Sequence, residues 1–185
     1  MARLVVDAGG AQPLDLALNE GQRYCAVVPD PEVKAVLLRM LADAAPIAVV
    51  AGGGGFVANL KVWENLALPA SYFGKASLAE LEAHAERLFR EFGIARERFA
   101  ELCALLPDRL STFERRLAAF VRAMLVEPEI MIYDGLFEGL ARAEADTAAR
   151  FDLAFRLRFP FRTALFIEAQ DPSAAALNGC ATFRL

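Results

Sequence analysis

From Leu105 to Leu140 the sequence reads LLPDRLSTFERRLAAFVRAMLVEPEIMIYDGLFEGL, and no other stretch constrains the fold as strongly. A loop opens it. Ser111 and Glu114 stand at capping-box spacing, so a helix starts at Ser111. Phe113, Leu117, Phe120, Val121 and Met124 then fall on one helical face. Pro128 stops that helix, and an apolar strand from Ile130 to Tyr133 runs up to Asp134. A helix leading into a buried strand that ends in a carboxylate places charge at the mouth of a parallel sheet.

The rest of the chain is consistent with an α/β domain. It has 185 residues, enough for one domain with a real core. Apolar residues make up 56%, too many for a disordered chain. The net charge of −4, with no long basic run, argues against nucleic acid as a partner. Cys25, Cys103 and Cys180 show no CxxC spacing and read as three reduced thiols. The first residues, MARLVVDAGG, carry no apolar signal core. The longest uncharged run, Ala44 to Leu60, contains Asp-free but glycine-broken sequence and falls short of the ~20 apolar residues a membrane helix needs. The chain is therefore expected to be soluble, with any membrane contact made through a partner.

Read in order, Arg3–Asp7 and Leu14–Leu18 are short strands joined by the turn Gly9–Pro13. Tyr24–Val28 is a continuous apolar run of the fully buried kind. Asp30, Pro31 and Glu32 are an N-cap, a first helical residue and a first-turn acid. The stripe Val33, Val36, Leu37, Met40 and Leu41 follows. Ile47–Ala51 is a further buried strand, followed by Gly52 to Gly55. Ser77–Phe92 is a helix opened by a Ser77–Glu80 capping box, striped with Leu78, Leu81, Leu88 and Phe92 and ended by Gly93. His84, the one histidine, reads as a surface residue, with no second histidine to build a metal or triad site. A helix over about Ala95–Leu106, another over Ala143–Phe159, and strands at Thr163–Ala169 and Ala181–Leu185 complete the chain.

These pieces, in this order and spacing, resemble the ATP-binding-cassette (ABC) ATPases. The family's signature reads roughly LSGGQ-x-RR-x-x-x-A-R-A-L, then x-x-P-x-x-L-h-x-D-E-P. Leu110, Ser111, Arg115, Arg116, Arg122, Ala123, Pro128 and Asp134 keep that frame. The resemblance implies a P-loop NTPase-like ABC ATPase fold, a mostly parallel sheet flanked by helices. It also implies one domain over residues 1–185, with a helical subdomain at about 72–127 and with abbreviated N- and C-termini. VWENLALP, residues 62 to 69, resembles the segment after the glutamine loop in the lipid-trafficking branch, where the membrane subunit's coupling helix docks. Phe56, Val62, Trp63, Glu64 and Asn65 are the partner-docking candidates on that ground.

The catalytic positions depart from the family. In the phosphate loop, G-x-x-G-x-G-K-[ST], Lys34 keeps the lysine, but Val28, Pro31 and Val33 stand for the glycines and Ala35 for the hydroxyl that holds Mg²⁺. Such a loop turns backbone N–H groups at phosphates and needs glycines for close approach. Pro31 has no N–H at all. Thr112 and Phe113 replace the two signature glycines, Gly52 the sensing glutamine and Gly135 the catalytic glutamate. Ala141 replaces the D-loop aspartate, and Gln170-Asp171-Pro172 replaces the switch H-D-P. Lys34, Asp134 and Ser111 remain as degenerate nucleotide-site candidates, and Asp134 as the one candidate metal ligand. No catalytic residue is assigned. No cofactor is expected, and ATP with Mg²⁺ should bind weakly at best.

What the resemblance implies is a degenerate ATP-binding-type subunit, with little or no hydrolysis. Its partners would be a membrane permease and a second, intact ATPase subunit, in the cytoplasm or held at the inner membrane through them. Two other readings stay open at this stage: a working ATPase subunit that powers transport, and a soluble regulator unrelated to transport.

Overall fold

The computed structural model describes residues 2–6, 14–170, 177 and 179–185. The expected turn at 9–13 and the Asp171-Pro172 pair lie outside them. The chain divides into two compact units. One comprises Met1–Ala48, Pro128–Gly135 and Asp152–Leu185; the other comprises Val49–Glu127 and Leu136–Phe151.

The elements run β1 (Ala2–Val6), β2 (Leu14–Leu18), β3 (Arg23–Val27), α1 (Pro31–Ala44), β4 (Ile47–Ala51), α2 (Val62–Tyr72), α3 (Leu78–Glu91) and α4 (Arg96–Ala104). After a 3-10 turn at Pro107–Arg109 come α5 (Thr112–Val126), β5 (Ile130–Asp134), α6 (Arg142–Ala148), α7 (Arg150–Arg158), β6 (Thr163–Glu168) and β7 (Ala181–Arg184).

Strands β1 and β2 form an antiparallel hairpin. The main sheet has the order β4-β5-β6-β3-β7, and the β5–β6, β6–β3 and β3–β7 pairs are parallel. This is the mostly parallel sheet flanked by helices that the resemblance implied. The apolar runs Tyr24–Val28 and Ile130–Tyr133 and the run 164–167 are the central strands, buried on both faces. Ile47–Ala51, expected to be a buried strand, is instead the edge strand β4, where Val50 alone is buried, because a neighbour covers it on one side only. Tyr133 on β5 is in register with Phe166 on β6, and the two rings stack at 4.7 Å. Asp152 is buried in the same unit and paired with Arg23 at 2.9 Å and Arg156 at 3.1 Å. Burial, then the Asp152 charge, pushes the enclosed Tyr133 hydroxyl well above its ordinary pKa.

The second unit is helical and packs around α5. Leu117, Phe120, Val121 and Met124 are all buried, as the stripe requires. Phe89 packs on Phe99, and Phe92 and Phe120 both pack on Phe151. Ser77 caps α3 through a capping box with Glu80, and Gly93, at φ +87°, turns the chain off that helix. Burial, then the Glu82 charge, pushes the half-buried Cys103 thiol up to about 12, so it stays neutral at neutral pH.

Some expectations fail locally. The helix over 143–159 is two helices, α6 and α7, which meet at Ala149. The Thr147 hydroxyl donates to the Ala143 carbonyl at 2.9 Å, and such bonding to the preceding turn bends helices. Val36 and Leu78, assigned to apolar stripes, are exposed. His84 is half-buried on α3 rather than on the open surface. Among the described residues no helix is long and apolar enough to cross a membrane.

Candidate functional site: a self-capped helix entrance

The site begins where β3 leaves the sheet. Three residues, Val28 to Asp30, separate the strand from α1. The Val28 N–H is still used by the sheet, donating to Glu168 O at 2.8 Å. Helix α1 then begins at Pro31, before Lys34 is reached. The Asp30 carboxylate accepts from the Glu32 N–H at 2.7 Å. The Lys34 N–H donates to Asp30 O at 3.0 Å, the first bond of the helical ladder. So Pro31 has no donor, and those of Glu32 and Lys34 are spent. A helix N-terminus carries roughly +0.5 charge and attracts an anion. Here the chain supplies that anion itself.

The Lys34 side chain is also committed. Its Nζ donates to both carboxylate oxygens of Asp134, each at 3.1 Å. Both groups are shielded, with side-chain exposures of 34% and 19%. Two of the expected nucleotide-site residues are thus brought together, but facing each other. The partner of the Lys34 ammonium is Asp134, while the Asp30 and Glu32 carboxylates stand at the helix entrance. Ala35 has no hydroxyl, and no three His, Cys, Asp or Glu side chains gather to hold a metal among the described residues. These residues do not fit Mg-ATP.

Past β5 the backbone disfavours a side chain at Gly135, where the resemblance would have a catalytic glutamate. Gly135 has φ +57°, and its N–H donates to Ile167 O at 3.0 Å. A side chain in this left-handed conformation costs about 1–2 kcal/mol. Gly135→Glu would thus meet a backbone shaped for glycine. Gln170, in the switch position, is exposed at the end of β6.

In the helical unit, Ser111 caps α5. Its hydroxyl accepts from the Glu114 N–H at 3.1 Å, and Glu114 accepts from the Ser111 N–H at 2.9 Å. Arg98 then holds the other Glu114 oxygen at 2.7 Å. Burial alone would raise the Glu114 pKa, but the Ser111 N–H and Arg98 outweigh it and the net shift is downward. A lowered folded pKa means the contribution is complete at neutral pH and is lost as pH falls through that pKa. Here too the helix N-terminus is occupied by the chain's own carboxylate. Phe113, in a signature glycine position, leans its ring towards Phe151 at 6.4 Å. Ser111→Ala should cost about 1 kcal/mol, a drop of ~2–4 °C in the unfolding midpoint measured by circular dichroism.

Helix α5 also grips the glycine run, which the sequence did not reveal. Arg122 donates to Gly54 O and, at 2.8 Å, to Gly55 O, and its guanidinium lies 4.8 Å from the Phe56 ring centre. Burial lowers the Arg122 pKa. Arg116 is buried and donates to Leu136 O. A side chain at Gly52 would begin 3.1 Å from the Arg116 guanidinium, so the space of the family's glutamine belongs to an arginine. Glycines 54 and 55 have φ of +75° and +57°, a left-handed conformation that glycine adopts without steric cost. Arginines on α5 opposite a run of glycines were the available signal.

The docking stretch divides. Val62 and Asn65 are buried, at 0% and 3% exposure, so neither side chain can form a docking surface. Asn65 serves the loop before α2, accepting from the Val57 N–H at 2.7 Å and donating to the Val57, Leu60 and Lys61 carbonyls. Glu64 accepts from the Lys61 N–H at the start of α2. Phe56 and Trp63 are half-buried and keep an accessible part.

No family model matches the chain, and no curated protein matches it. Solved structures do. An ABC transporter assigned to the metal-chelate type, in an inward-facing conformation, is 18% identical with TM-score 0.69, over 100% of this chain and 77% of that one. The ATP-binding subunit of an ABC transporter is 18% identical with TM-score 0.75, over 100% of this chain and 85% of that one. The fold is therefore that of an ABC transporter's ATP-binding subunit. At this identity the likeness establishes architecture and leaves the chemistry to the residues above.

Proposed function

We propose that this chain is a non-hydrolytic ATP-binding-type subunit of an ABC transport system, acting by docking and assembly. One observation carries the reading: Lys34 is bound to both oxygens of Asp134, beside a helix N-terminus already capped by Asp30. The two groups that would hold a nucleotide's phosphates and metal neutralise each other. A general base is worth roughly 10²–10⁴ in rate and a charge-stabilising donor ~10²–10³. The chain has Gly135, Gly52 and Gln170 where the family has such groups.

The partner proposed is a membrane permease, alone or with a second, intact ATPase subunit. The VWENLALP resemblance supports a lipid-type system. Phe56 and Trp63 are the docking side chains: of the candidates Phe56, Val62, Trp63, Glu64 and Asn65 they are the apolar ones that keep accessible surface. The test is association with the permease in detergent extracts. Wild type and Lys34→Ala should co-purify with it equally, with or without Mg-ATP. Trp63→Asp, with its fold verified by circular dichroism, should not. Association that requires Mg-ATP or Lys34, or that survives Trp63→Asp, would overturn the reading.

A further inference from the structure

The outer face of α7 and the turn after it form a surface that the docking reading leaves unused. Leu153 and Leu157 lie one helical turn apart, at 48% and 74% exposure, and Phe161 follows at 78%. The opposite face, with Asp152 and Phe155, is buried. Phe161 is fixed in place: the Gly21 N–H donates to its carbonyl at 3.0 Å, and Arg162 N–H donates to Phe159 O at 3.0 Å. Folding has therefore left three large apolar side chains outside on a rigid support.

Along this segment of the chain the exposed charge is basic. Between Asp146 and Glu168 the sequence has one acid, Asp152, and it is buried against Arg23 and Arg156. Arg158 is exposed, and Arg156 and Arg162 are partly so. Arg162 lies 4.4 Å from the Phe159 ring centre and donates to Pro128 O at 2.9 Å. On a chain of net charge −4 this is a local reversal of sign. Exposed leucine and phenylalanine flanked by arginine suit a lipid interface: the apolar side chains can enter the headgroup boundary while guanidinium groups meet anionic lipid. Two carboxylates, Glu20 and Glu129, line the small cavity beside Phe161 and Arg162. They oppose the attraction there and leave the Leu153–Arg158 turn as the centre of the contact.

We propose that this face binds an anionic lipid bilayer directly, independently of nucleotide and of any permease. Part of the chain's membrane affinity would then be its own. The test is flotation of the full chain with vesicles of phosphatidylcholine and phosphatidylglycerol in equal parts, against phosphatidylcholine alone. Wild type should float with the anionic vesicles, remain behind with neutral ones, and be released by ~0.5 M salt, which shortens screening to a few ångströms. Leu157→Glu combined with Phe161→Ser should weaken the partition at least about tenfold. Both positions are exposed, so the fold should be kept, and an unchanged unfolding midpoint verifies it. Three results would overturn the proposal: no flotation of wild type, equal flotation of the double variant, or equal binding to neutral vesicles. A dimer seen by light scattering in place of vesicle binding, and broken by Leu157→Glu, would assign the face to a second copy instead.

Discussion

A few millimolar Mg-ATP should leave the unfolding midpoint of this protein unmoved, and the protein should release no phosphate above background. A ligand at ~100 times its dissociation constant stabilises the folded state by ~2.7 kcal/mol, which for a domain of this size is a rise of ~5 °C or more. The Asp30 carboxylate and Pro31 leave a triphosphate few backbone donors. To reach Lys34, the nucleotide must also break two bonds to Asp134. The dissociation constant should therefore be millimolar or weaker, ~4 kcal/mol or less of binding. A rise of ~5 °C that needs both ATP and magnesium and disappears in Lys34→Ala would refute this. Gly135→Glu together with Gly52→Gln should also release no phosphate. The first substitution meets a left-handed backbone and the second meets Arg116. On the proposed reading, restoring these two side chains alone is therefore not enough to restore hydrolysis.

Phe151→Ala should lower the unfolding midpoint by about 6–20 °C, the largest effect expected of a single change here. The ring has 0% exposure, stacks on Phe120 at 4.5 Å and 8°, and meets Phe92 edge-on at 4.9 Å and 89°. Removing a buried phenylalanine costs about 3–5 kcal/mol in transfer and cavity terms, and each kcal/mol moves the midpoint by ~2–4 °C. Phe113→Ala, which takes a half-buried ring 6.4 Å from Phe151, should cost clearly less. Differential scanning calorimetry on the two variants checks both. A fall below ~3 °C for Phe151→Ala would mean that the helical unit does not depend on this aromatic cluster.

The sequence by itself determined the elements whose signals are local. Asp30-Pro31-Glu32 named the start of α1, because a cap, a fixed φ and a first-turn acid act within one turn. Ser77 with Glu80 and Ser111 with Glu114 did the same for α3 and α5. The run from Ile130 to Asp134 was legible as a buried strand, because a strand covered on both faces has no polar alternation. The mostly parallel sheet and its family likeness followed from motif order.

Long-range partners were decided only by the tertiary structure. Lys34 and Asp134 are 100 positions apart, and nothing local says that one will close on the other. The sheet places a bidentate carboxylate partner within reach of the Lys34 ammonium. The same limit hid the hold of Arg122 on Gly54 and Gly55, and the burial of Val62 and Asn65. A helix stripe marks which residues share a face, but how far that face is covered depends on what packs against it. Val36 and Leu78 keep the period and still meet solvent, and the segment expected as one helix over 143–159 is two. Periodicity and caps are short-range properties of a chain. Charge pairing and burial are set by which distant segments the fold brings together.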